Sequence, residues 1–135
     1  MKKISFCLAI LSLFAVACGE SGAIKAVKKS CFCFIPDMGG RPEFTIDEVV
    51  NASMRKPSWK LSGKDSNGDY VRVEGTTSNG RPFGMEFIIS KNKAIAITSV
   101  DIDSKIINQW TLNNLLYDLY NNQLDVYNSK NKGGK

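Results

Sequence analysis

The chain has 135 residues, with 18 lysines and arginines against 13 acidic side chains and no histidine. The excess of positive charge sits near the ends: residues 41–128 hold ten basic and eleven acidic side chains, which leaves no basic face of the kind nucleic acids need. Without histidine, Ser-His and Cys-His nucleophile pairs are excluded and the commonest metal ligand is missing.

Met1-Lys2-Lys3 opens the chain, and residues 4–17 follow without a single charge. A cationic start and a short apolar run are the first two regions of a secretory signal. A spanning helix needs about 20 apolar residues, so the run is too short to remain in the membrane. Ala15-Val16-Ala17 is an A-x-A cleavage site. Together with Cys18 it resembles a bacterial lipobox, in which small residues precede a lipid-accepting cysteine. That resemblance covers residues 1–18 and identifies 1–17 as a signal peptide. It implies that the Cys18 thiol takes a diacylglycerol, that the signal is removed before it, and that the new amine is acylated. Gly19 follows; in Gram-negative lipoproteins an aspartate there tends to retain the protein at the inner membrane, so the resemblance implies an outer-membrane address facing the periplasm.

Cysteine counting supports the same reading. Cys7 leaves with the signal, and Cys18, Cys31 and Cys33 remain. An odd thiol is a liability in an oxidising compartment, and lipid on Cys18 leaves an even pair.

Residues 18–43 read as the lipidated cysteine and a tether, rich in Gly, Ser, Pro and Lys and without sustained periodicity. If flexible, about 25 residues span roughly 25 to 30 Å. Cys31-Phe32-Cys33-Phe34-Ile35 is too apolar for an idle linker. It is expected either to pack on the domain or to dock a partner through Phe32, Phe34 and Ile35. In an extended strand Cys31 and Cys33 project from one face with α-carbons roughly 6.5 to 7 Å apart, at the limit for a disulfide. The expectation is an extended, packed segment with separate thiols; a Cys31–Cys33 disulfide that kinks the tether is the alternative.

Residues 44–128 read as one α+β domain. Thr45-Ile46-Asp47-Glu48 is a capping box, Phe44 and Val49 are placed as its hydrophobic staple, and Ile46, Val49 and Val50 form an apolar stripe. Pro57 is expected to stop this helix, giving 45–56. Four strands follow, over 58–63, 70–76, 83–89 and 94–102, with turns at "KDSNGD", "SNG" and "KNK". Alternation is cleanest at Phe83, Met85, Phe87 and Ile89, which puts Phe87 in the core. Period-2 runs separated by such turns predict a four-stranded antiparallel meander. From about residue 104 the period becomes helical, with Leu112, Leu115, Leu116 and Leu119 on one face. This helix is expected to end near Gln123, before a basic, disordered tail at 129–135. The two helices would cover one face of the sheet. Trp59 and Trp110 are expected at the core or its edge.

Little in this domain points to chemistry. Ser53-Met54-Arg55-Lys56 matches the Ser-x-x-Lys of serine acyl-enzymes, but the accompanying Ser-Asp-Asn and Lys-Thr-Gly elements are missing. Asp65-Ser66-Asn67-Gly68-Asp69 imitates the start of a calcium loop, with Tyr70 where glycine and Thr76 where glutamate are required. No enzyme, cofactor or metal is expected. The sequence predicts a lipid-anchored periplasmic lipoprotein acting as a non-catalytic binding or accessory component of the envelope, held to the membrane through Cys18 and meeting an envelope protein partner. The alternative is an inhibitor or immunity-type lipoprotein that neutralises a toxin or hydrolase.

Overall fold

The computed structural model describes residues 21–36 and 39–133. The first element among the described residues is a helix, α1 (Gly22–Lys29), where a tether was expected. Ser21 caps it, its side chain accepting from the Ile24 amide at 3.2 Å. Ile24 and Val27, one turn apart, are buried in the core. Two apolar anchors at i and i+3 suffice to hold so short a helix, whose stability comes from packing rather than propensity.

Ser30 to Phe32 then run antiparallel to Phe44 to Ile46. The Phe32 amide donates to the Phe44 carbonyl at 2.7 Å, and the Ile46 amide to the Ser30 carbonyl at 2.8 Å. Helix α2 (Ile46–Ser53) starts at the expected capping box. The Glu48 amide donates to Thr45 Oγ1 at 3.1 Å, and the Thr45 amide to Glu48 Oε1 at 2.9 Å. Ile46, Val49 and Val50 are buried as the stripe predicts.

The helix ends three residues before the expected boundary, and Pro57 lies inside a strand. β1 (Arg55–Asp65) is an edge strand, and its register against β2 (Gly68–Thr76) shifts between Arg55 and Ser58. An edge bulge is where a residue without an amide proton is tolerated. Lys56, at φ +51°, turns the chain there.

β3 (Pro82–Ser90), β4 (Ile95–Ile102) and β5 (Lys105–Ile106) complete an antiparallel meander in the order β1-β2-β3-β4-β5. The sheet has five strands, not four. The fifth follows a two-residue turn in which Asp103 and Ser104 both take positive φ, 56° and 66°, while Ile102 pairs with Lys105. Such a turn is usually written Asn-Gly.

Helix α3 (Gln109–Gly133) therefore begins after β5, capped by Asn108, whose Oδ1 accepts from the Thr111 amide at 2.9 Å. It continues ten residues past the predicted end, through most of the segment expected to be a disordered tail. Leu116, Leu119 and Tyr120 are its buried residues, with Gln123 beside them.

The core lies between one face of the sheet and the helices. Val71, Val73, Met85, Phe87 and Val100 point into it, and Phe87 is fully buried. α1 packs across β1, β2 and β3, α2 against β1 and α1, and α3 chiefly against α2. Phe44 joins the helices: its ring lies 5.2 Å from that of Tyr120 and 5.6 Å from that of Tyr127. Tyr120 is buried and its hydroxyl donates to the Pro42 carbonyl at 2.7 Å. Burial raises its pKa above the ordinary tyrosine value.

Candidate functional site

The outward face of the sheet carries a polar network that its register builds. Arg72 in β2 is paired with Lys60 in β1 and Glu86 in β3. Its Nε donates to Glu74 Oε2 at 2.7 Å, and its Nη2 to Asp101 Oδ1 and Oδ2 at 2.8 and 3.0 Å. Glu74 and Asp101 are both register partners of Gly84, on either side of it. Arg72 thus crosses β3 at the one residue in that row without a side chain. A Cβ at Gly84 would meet the guanidinium directly.

The side chains of Arg72 and Asp101 are only 20% and 16% exposed, so their attraction is less screened than that of a surface pair. Arg72, with Lys60 Nζ at 3.5 Å, holds the Glu74 carboxyl below its usual range. Glu74 and Asp101 in turn raise the Arg72 pKa. Glu86 forms a second row, accepting from the Thr98 hydroxyl at 2.8 Å and the Ser62 hydroxyl at 3.0 Å. A depression of about 260 Å³ lies beside the first row, lined by Arg72, Glu74, Phe83, Asp101 and Ser104 among others.

Cys31 and Cys33 are bonded to each other, with α-carbons 5.3 Å apart. This corrects the expectation of separate thiols, and also the idea that bonding and packing exclude one another. Phe32 is fully buried, edge-on to Phe34 at 5.1 Å, and Ile35 is 5% exposed. A kink places the two α-carbons within disulfide range while the intervening ring still enters the core. Phe32 and Ile35 are consequently not available to a partner; Phe34 is half-buried, 6.2 Å from Phe87. Cys18, the residue expected to carry lipid, lies outside the described residues.

The remaining motifs take structural places. Ser53 closes α2 and its hydroxyl accepts from Asn122 Nδ2 at 3.2 Å, while Lys56 sits in the following strand. Asp65 Oδ1 accepts from the Asn67 amide at 2.9 Å and Oδ2 from the Tyr70 hydroxyl at 3.0 Å, which makes that segment a hairpin turn. The Asn67 amide first, and then the Tyr70 hydroxyl, lower the Asp65 pKa, while the hydrogen bond to Asp65 raises that of Tyr70. Among the described residues no group of three or more cysteine or acidic side chains is placed to hold a metal ion.

Trp59 and Trp110 part company. Trp59 is half-buried and stacks on Phe87 at 6.2 Å, with Lys28 Nζ 5.7 Å from its ring. Trp110 is 80% exposed in the first turn of α3, and Ile106 at the end of β5 is 77% exposed. The expectation of a core Trp110 fails because the helix starts five residues late, after a strand that carries the chain to the sheet's edge. Among the described residues, the neighbouring stretch of β4, residues 95–99, pairs with β3 alone.

The fold defines a small α+β domain: a five-stranded antiparallel meander with helices against its apolar face. No protein family, curated protein or solved structure matches the chain.

Proposed function

We propose that this chain is a lipid-anchored protein of the cell envelope, secreted through residues 1–17 and held by lipid on Cys18, that serves as a non-catalytic binding or accessory component. The observation that carries this reading is the uncharged run ending at Ala15-Val16-Ala17-Cys18, with Ser21, three residues later, capping a helix that packs into the core. The non-catalytic part is supported by how the polar groups are engaged: Arg72 with Glu74 and Asp101, Glu86 with Ser62 and Thr98, Ser53 with Asn122. Binding of a protein partner is supported by Ile106 and Trp110, large apolar side chains standing in solvent beside an unpaired strand edge. An inhibitor of a toxin or hydrolase is the second reading. It is favoured by the charged outward face around Arg72, since inhibitors meet their targets through complementary charge.

Fractionation and crosslinking test these readings. The wild type is expected in the membrane fraction and Cys18→Ala in the soluble periplasm. Crosslinking in its own envelope is expected to trap a resident protein, less so for Trp110→Ala. Capture of an incoming hydrolase through the Arg72 face would favour the inhibitor instead. A wild type that fractionates as soluble contradicts the anchor.

A further inference from the structure

We infer that the outward face of α1 lies against anionic phospholipid headgroups, so that the domain sits flush on the membrane and turns its charged sheet face away. The inference rests on the lipid anchor proposed at Cys18. It replaces the expectation of a domain standing off on a long tether.

Chain length sets the distance. Only Gly19 and Glu20 separate Cys18 from Ser21. Three residue steps of fully extended chain cover about 10 to 11 Å. Ser21 is not free to swing, because it caps α1 and α1 is pinned into the core by Ile24 and Val27. A lipidated cysteine sits at the headgroup boundary, so the start of α1 must lie within about 11 Å of it.

The composition of α1 fits that place. Gly22, Lys25, Ala26 and Lys29 are exposed, opposite the buried Ile24 and Val27. Lys25 and Lys29 are four residues apart and share one face. The helix Gly22–Lys29 contains no acidic residue; Glu20, in the link itself, is the nearest acidic residue in sequence, and Glu43 lines the same depression as Lys29. Lys28 and Lys29, in the last turn, also oppose the helix dipole. Lys25 lies a turn earlier and has no such role. Attraction to an anionic leaflet strengthens surface association about fivefold per lysine close to it.

Orientation follows from the layers. α1 packs across the inner face of β1, β2 and β3, so its exposed side and the sheet's outer face point in opposite directions. With α1 on the membrane, Arg72, Glu74, Glu86 and Asp101 face the periplasm.

Photo-crosslinking of the full lipidated protein in vesicles of phosphatidylethanolamine and phosphatidylglycerol tests this. A benzophenone amino acid replaces Ala26 in one preparation and Lys60, on the outer sheet face, in another. Lipid adducts are expected from position 26 at several times the yield from position 60. Lys25→Gln with Lys29→Gln should cut the position-26 yield at least fivefold, and transfer to phosphatidylcholine vesicles should do the same. Equal yields from the two positions, in protein that still pellets with vesicles, overturn the orientation and leave the anchor standing. Protein that stays in the supernatant overturns the anchor and the orientation together.

Discussion

Arg72 reaches Asp101 across β3 by lying over Gly84, with Nη2 2.8 Å from one carboxylate oxygen and 3.0 Å from the other. Three residues on three strands are thereby one unit, and the ion pair exists only because Gly84 has no side chain. Asp101→Ala removes the acceptor and should cost about 1.5 to 3 kcal/mol, the range for hydrogen bonds to charged groups. Gly84→Ala should displace the guanidinium, the far end of a flexible side chain, and lose the same contact. The two changes are therefore expected to be non-additive, the double variant falling short of the sum by 1 kcal/mol or more, on the scale of coupled neighbours. Urea melts of both single variants and the double variant measure it; additive losses mean that Gly84 matters for another reason.

The core prediction contrasts two aromatic residues. Phe87 is fully buried and Trp110 is 80% exposed. Phe87→Ala should lose about 3 to 5 kcal/mol, and Trp110→Ala should stay within about 0.5 kcal/mol. Denaturant melts that reverse this order would place Trp110 in the core.

The disulfide is expected to be dispensable for folding. A bridge closing so small a loop contributes below about 2 kcal/mol by chain entropy, whereas the ring of Phe32 between the two cysteines is fully buried. Phe32→Ala should cost about 3 to 5 kcal/mol. Reduction with a phosphine should leave near-UV circular dichroism unchanged and lower the melting midpoint slightly. Loss of the tertiary signal on reduction would make the bridge, not the ring, the holding element.

Acid should weaken the fold through identifiable groups. Glu74 and Asp65 have folded-state pKa values below their ordinary ones, held down respectively by Arg72 and by the Asn67 amide. Each group contributes stability that is fully present above its unfolded pKa and is lost as pH falls through its folded value. With no histidine in the chain, stability should be nearly flat from about pH 5 to 8 and decline below about pH 4. Glu74→Gln should make the acid limb shallower. A mid-range transition between pH 6 and 7 in thermal melts would contradict this.

Much of the meander was legible because alternation and turn chemistry agree at "VRVEGTTSNGRPFGMEFII": Val71, Val73, Met85 and Phe87 are all buried. The capping box at Thr45 and Glu48 was equally plain. What escaped was whatever depends on tertiary contact. α1 offers only Ile24 and Val27 among lysines, too few apolar positions to separate a pinned helix from a linker. β5 hides behind Asp103-Ser104, a turn with two positive φ values and no glycine. Pro57 reads as a helix stop until the edge bulge that tolerates it is seen. Gly84 gives no local sign of the arginine above it.

The lipid proposed on Cys18 is tested most directly by mass spectrometry of the N-terminal peptide of the mature protein, purified from envelopes in detergent. A peptide beginning at Cys18, with diacylglycerol on the thiol and an acyl chain on the amine, is the result expected. A peptide beginning at Cys18 with a free amine and an unmodified thiol would mean ordinary A-x-A cleavage, and would contradict the anchor.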